Sequence, residues 1–252
     1  MTFDRPTARQ VPQLLSLWKT VFGEWNGFWE TFLETGFAPE RCRCITEEGQ
    51  ITAALTWLDC RCDGQKLAYI YAVATDPGHR GKGLCRRLMA DTHKLLTAQG
   101  YAAAILVPAE ENLREMYRKM GYETCTGVTE FSCKASAQAI PLRALGPGEF
   151  AALRREFLPE KAVIQEGENL DFLSRQAQFY AGRSLLMAAY QEESVLTTME
   201  LLGDPHAAPA ILAALGCTEG RFRCPGAEKP FAMWHPLQTH AVKPGYFGFA
   251  FD

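Results

Sequence analysis

No stretch of the 252-residue sequence approaches the ~18 consecutive apolar residues that a membrane-spanning helix requires, so no membrane partner is expected. The opening MTFDRPTARQVPQLL has neither the basic region nor the apolar run of an export signal, and cytoplasmic residence is the expectation. Excess charge is also missing, since 26 basic against 29 acidic residues leave a net charge of -3. Polyanions find no general attraction in such a chain, nucleic acid is not expected as a partner, and any phosphate-bearing ligand must be held by a local feature. The GxxxxGK[ST] pattern is absent, which counts against a protein that uses such a loop for ATP. Cysteine is not scarce, but nine is an odd number and nothing points to export, so reduced thiols are expected in place of a disulfide framework.

Two cysteine pairs, Cys42/Cys44 and Cys60/Cys62, raise the question of zinc. Positions i and i+2 of a strand share a face but lie ~7 Å apart, too far for two thiolates on one tetrahedral ion. Folding the first hairpin about Glu48-Gly49 also leaves Cys60 well past the position opposite Cys42. The two pairs should not meet, and no metal is expected.

What the sequence does have is periodicity, with 47% hydrophobic residues, enough for a sizeable core. Residues 11 to 22 set Val11, Leu14, Leu15, Trp18, Val21 and Phe22 on one helical stripe, and residues 25 to 33 do the same with Trp25, Phe28, Trp29, Phe32 and Leu33. Short β-rich runs at 41 to 46, 51 to 62 and 66 to 76, parted by EEGQ and CDGQ, predict an antiparallel meander. After DPGHRGKG, Leu84, Leu88, Leu95 and Leu96 define a helix that Gly100 should end, and YAAAILVPA at 101 to 109 reads as a buried strand. Strand, helix, strand implies a parallel crossover. A short helix follows with Leu113, Met116, Tyr117 and Met120 on one face and Gly121 closing it.

From residue 135 the periodic segments give way to small residues, proline and glycine, which sets a domain boundary there: 1–134 and a smaller α/β domain over 135–252. Helical patterns near 148 to 158 and 168 to 180, the hairpin SLLMAAYQEESVLTTMELL and the helix in HAAPAILAALG repeat the order of the first half, which suggests a decayed duplication. The second half has no counterpart of the glycine loop, so phosphate should not bind there. Its expected work is to shape the acceptor side of the site.

A diphosphate needs several backbone N–H groups aimed at it, and a glycine loop opening a helix supplies them together with the positive end of the helix dipole. HRGKGLCRRL offers this arrangement: Gly81 and Gly83 permit close approach, Leu84 begins the helix, and Arg80, Lys82, Arg86 and Arg87 gather positive charge. On these residues, YAVATDPGHRGKGLCRRLM followed by YRKMGY, the chain resembles the GNAT N-acetyltransferase superfamily over roughly residues 3 to 132. The family loop Q/R-x-x-G-x-G/A falls on Arg80, Gly81, Lys82, Gly83, Leu84 and Cys85, with cysteine standing where glycine or alanine is usual. The segment is also similar to the enhanced intracellular survival type of acetyltransferase, which carries further domains after its GNAT domain.

The resemblance implies an α/β acyl-CoA N-acyltransferase fold, acetyl-CoA as donor, an amine as acceptor, and a homodimer among the admissible assemblies. It implies that Val73, Ala74 and Thr75 pair with the pantetheine arm, that the amides from Gly81 to Arg86 take the diphosphate, and that Tyr117 gives the leaving sulfur its proton. Asn112 is expected at the cofactor, because the family asparagine seven residues before Tyr117 is replaced by Glu110. For the base, Glu110, Glu111, Asp59 and Asp252 stand open, as does a water chain. The aromatic cluster Trp25, Phe28, Trp29 and Phe32 is read as core that lends one or two members to an acceptor pocket. A non-catalytic acyl-CoA sensor is the rival reading.

Overall fold

The computed structural model describes residues 1–25 and 27–251, and its chain divides into two compact units. Unit 1 holds Met1–Glu123 and Met233–Val242; unit 2 holds Thr124–Ala232 and Lys243 onward.

In unit 1, β1 (Thr2–Asp4) leads to α1 (Val11–Phe22) and α2 (Phe28–Thr35), then to the meander β2 (Cys42–Glu47), β3 (Gln50–Cys62) and β4 (Gln65–Thr75). Next come α3 (Leu84–Ala98), β5 (Ala103–Leu106), α4 (Glu111–Arg118) and β6 (Glu123–Thr124). The second helix starts at Phe28, three residues later than its apolar stripe suggests, and leaves Trp25 outside and 56% exposed. The run 101 to 109 yields only four strand residues, because the main-chain amide of Ala102 bonds Lys66 O and the pairing with β4 stops at Ile105. Leu88, Met89 and Leu96 of α3 bury against Ile45, Leu55, Trp57 and Ile70 of the sheet. The 3.6-residue spacing puts those helix positions on one stripe, and burying each large side chain is worth about 1.5–3 kcal/mol.

Unit 2 runs β7 (Gly127–Lys134), β8 (Arg143–Leu145), α5 (Pro147–Phe157), α6 (Glu168–Leu173), β9 (Gln178–Ala181), β10 (Leu185–Glu192), β11 (Val195–Gly203), α7 (Ala208–Leu215), β12 (Glu219–Pro225) and β13 (Lys229–Pro230). The helix expected over 168 to 180 stops at Leu173. Gln178–Ala181 instead pairs with both β8 and β10, so tertiary pairing overrides a short apolar run that fits either state.

The last strand, β14 (Met233–Pro236), returns to unit 1 and pairs antiparallel with β5. The first sheet therefore reads β1-β2-β3-β4-β5-β14-β6, and the second, taken from β8, reads β8-β9-β10-β11-β12-β7-β13. Place by place the orders match. Each sheet has one parallel pair of three rungs, β4 with β5 and β11 with β12, and each carries a one-residue bulge on the strand before the crossover helix. Both strands are also followed by an Asp-Pro turn in which the aspartate (Asp76, Asp204) accepts from a main-chain amide two residues on. This is a duplicated fold, and its sixth strand is exchanged: β14 sits in the first sheet and β7 in the second.

That exchange moves the boundary expected at 135. Residues 127–134 belong to unit 2, where β7 pairs with β12 over seven rungs, and ten residues from near the chain's end belong to unit 1. The cysteine argument also needs amending. Cys42 and Cys44 share a strand face as expected, but their rotamers bring the two thiols to 3.9 Å. Cys60 lies opposite Leu67 and Cys62 opposite Gln65, so the two pairs do not meet. Among the described residues no group of three or more His, Cys, Asp or Glu could hold a metal, and no helix is long and apolar enough to cross a membrane.

Candidate active site

Strands β4 and β5 stay together only from Leu67 to Tyr69 opposite Ala103 to Ile105, then part. The cause lies in β4, where Ala72 adopts φ 50° and a bulge puts Ala72 and Val73 opposite Leu55. An extra residue bends its strand and turns its edge away from the neighbour. A left-handed alanine costs about 1–2 kcal/mol, and the buried indole N–H of Trp18 donates to Ala72 O at 3.0 Å to hold it. Val73, Ala74 and Thr75 follow directly, beyond the last rung shared with β5.

A tight turn over Pro77–His79 comes next. One oxygen of Asp76 accepts from Gly78 N and faces His79 Nδ1, each at 2.9 Å, and the His79 bond above all lowers the Asp76 pKa. Gly81 (φ 77°) and Gly83 (φ 73°) then bring the chain to the start of α3. A Cβ at either would meet nothing within 4 Å, so the left-handed backbone, not crowding, selects glycine there, and the space before the helix is open. Gly83 is the N-cap and offers no side-chain acceptor, so the first-turn amides of Leu84, Cys85 and Arg86 are left to an outside anion. Arg80, Lys82 and Arg86 are exposed around them, while Arg87 lies over the Phe3 ring at 5.5 Å. The residues therefore fit a diphosphate held by main chain.

Tyr117 projects from α4 into the core and is 6% exposed. Burial, reinforced by Cys85, raises its pKa, so the phenol keeps its proton at neutral pH. Leu84 and Cys85, in the first turn of α3, pack in the same core as the Tyr117 ring. Burial pushes the Cys85 thiol up to about 11, so this small side chain stays neutral. Asn112 is exposed, and its amide donates to Glu110 at 3.0 Å. Of the base candidates, Asp59 is held by the Tyr101 hydroxyl and Lys66, and Glu111 by Arg114. Glu110 is paired with no cation among the described residues, and Asp252 lies outside them. In the aromatic cluster, Trp29 and Phe32 are buried with Trp18, Phe28 is half-buried, and the chain of rings reaches Tyr71, beside the bulge.

A family model described as acetyltransferase (GNAT) domain matches residues 2–125. Residues 2–125 are a GNAT acetyltransferase domain. Over 135 residues this chain is 23% identical to an L-2,4-diaminobutyric acid acetyltransferase of Marinococcus halophilus, covering 53% of this chain and 78% of that one. A GCN5-related N-acetyltransferase of Anabaena variabilis superposes with TM-score 0.74 at 15% identity, over 94% of this chain and 73% of that one. Eis1 of Mycobacterium abscessus gives 0.68 at 11% identity, over 94% and 74%. At these identities the structures speak for the fold alone, and their match takes in 94% of this chain.

Sequence reasoning missed three features. Nothing in the sequence ties Trp18 to the Ala72 carbonyl, or Arg154 to Glu200 in unit 2. Nor does anything in it join His93 to His235, more than a hundred positions later. In the structure His93, on α3, accepts or donates at Nε2 to the Tyr122 hydroxyl (2.8 Å) and stacks on His235 of β14 at 4.3 Å. Burial, with a smaller push from His235, lowers the His93 pKa to about 4. The unfolded chain takes up that proton near 6.5, so stability is complete above that pH and falls as the pH drops toward the folded value. Urea unfolding should show a loss of about 2 kcal/mol between pH 6.5 and pH 5 from this group, and His93→Gln should remove that part of the slope.

Proposed function

We propose that the chain is an N-acetyltransferase that moves an acetyl group from acetyl-CoA to an amine by direct attack. One observation carries the reading: a strand pair that parts after three rungs stands beside a glycine-opened helix whose first amides await an anion. Past the last rung with β5 the main chain of Val73 and Thr75, on either side of the buried Ala74, is half-open, and there the amides of a pantetheine arm would dock as an added strand does. The amides from Gly81 to Arg86 take the diphosphate, with Arg80, Lys82 and Arg86 supplying charge and Asn112 a further polar contact.

In the reaction the amine nitrogen bonds to the thioester carbonyl carbon, and a β4 amide faces the oxygen as it gains charge. The carbon–sulfur bond then breaks and the sulfur takes the Tyr117 proton. The amine's own proton leaves by Glu110 or water, since an alkylammonium near pKa ~10.4 cannot attack.

Coenzyme A at 100 times its dissociation constant is expected to stabilise the fold by ~2.7 kcal/mol, read as a melting shift that ATP at the same concentration does not give. Acetyl-CoA supplied with L-2,4-diaminobutyrate, 2-phenylethylamine or spermidine should then release free thiol. A melting shift without thiol release from any amine would leave a binding module in place of an enzyme.

A further inference from the structure

Tyr117 sits at the end of a chain of contacts that begins on the exchanged strand. His235 of β14 bonds through Nδ1 to the carbonyl of Gly121 at 2.9 Å, in the turn that ends the Tyr117 helix. Its imidazole lies flat on His93, with ring planes 12° apart and centroids 4.3 Å apart. His93 in turn bonds the Tyr122 hydroxyl at 2.8 Å, and the Tyr122 ring packs edge-on to Tyr117 at 5.8 Å. The fit is close: a Cβ on Gly121 would come within 2.9 Å of the His235 ring, so the turn accepts the imidazole only because residue 121 is glycine. The turn is further closed by Met120 N on Tyr117 O and Tyr122 N on Tyr117 O. Every link belongs to unit 1, yet His235 comes from a segment more than a hundred residues beyond the rest.

We propose that His235 and His93 are positioning residues for Tyr117, the stacked pair fixing the 120–122 turn and through it the place of the phenol. The inference rests on the reading of Tyr117 as the acid. Neither imidazole touches the reacting atoms. Their work is geometric, and small displacements of a proton donor are costly because transfer needs hydrogen-bond reach to the leaving sulfur.

The test is a double-mutant cycle on thiol release from acetyl-CoA, using whichever of the three amines above turns over fastest. His235→Ala is expected to lower kcat about tenfold with the KM for acetyl-CoA unchanged within twofold. Combined with Tyr117→Phe it should add nothing, because the group it positions is already gone. His235→Asn, which keeps a donor for the Gly121 carbonyl, should recover part of the loss. His93→Gln gives a second entry to the cycle should His235→Ala fail to fold. Losses that multiply with Tyr117→Phe would overturn the positioning role while leaving Tyr117 as the acid. An unchanged kcat in Tyr117→Phe alone would remove both. A readout free of any acceptor is the phenol carbon resonance of Tyr117 in tyrosine-labelled protein, assigned by its loss in Tyr117→Phe. It should move in His235→Ala, and an unmoved resonance sinks the proposal.

Discussion

Tyr117→Phe is expected to lower kcat about 10²-fold and leave the melting shift given by coenzyme A as it was. The two outcomes separate because the substitution removes one oxygen and no volume. Phenylalanine fills the same place among Leu84, Leu88 and Tyr122 in the core, so packing has little to lose. The binding groups are main-chain amides on β4 and at the start of α3, which the phenol does not supply. What vanishes is the proton for the departing sulfur. Burial raises the phenol's pKa, so it is a proton donor in its ground state across the neutral range, and no fall in rate from its own ionisation should appear there. If Tyr117 were only a core aromatic, the variant would turn over at the parent rate with the same dependence on pH.

The elements around this site were legible because their signals are local. Leucines at helical spacing after a glycine pair announce α3, and the switch from alternation to an apolar run announces β5. The exchanged strand was not legible, for a physical reason. The run from Gly127 to Lys134 alternates as an edge strand should, but alternation says only that a strand has two faces, not which sheet receives it. The same ambiguity hid β14, whose four residues carry no pattern that assigns them to β5 across more than a hundred intervening positions. With the partner sheet unknown, His235 could only be read as a surface residue. The thiols of Cys42 and Cys44 were misjudged differently, since strand spacing fixes where backbones lie and leaves the rotamers free to bring sulfurs together. In the loop itself, the glycines at 81 and 83 were read for the close approach they permit, and the positive φ of both is what the structure adds.

Duplication explains why unit 2 keeps the strand order and the bulge but not the glycine loop: its Asp-Pro turn runs straight into α7 at Ala208. The interior of unit 2 holds charge. Arg154 of α5 makes two bonds to Glu200 of β11, at 2.7 and 2.9 Å, and both side chains are sealed from water. The Tyr246 hydroxyl adds a third bond to Glu200 at 3.0 Å, Arg154 lies 4.2 Å over the Phe249 ring, and Gln165 bonds both main-chain groups of Phe249. The pair thus ties α5, β11 and the segment after Lys243 into one core. Such a pair is worth little net, because desolvation cancels most of the attraction, but breaking it strands a charge. Arg154→Met is therefore expected to destabilise unit 2 by about 3–5 kcal/mol in urea unfolding. Arg154→Met combined with Glu200→Leu should recover most of that loss, since no uncompensated carboxylate remains. A double variant as unstable as the single one would show that the arginine's packing, not the orphaned charge, sets the cost.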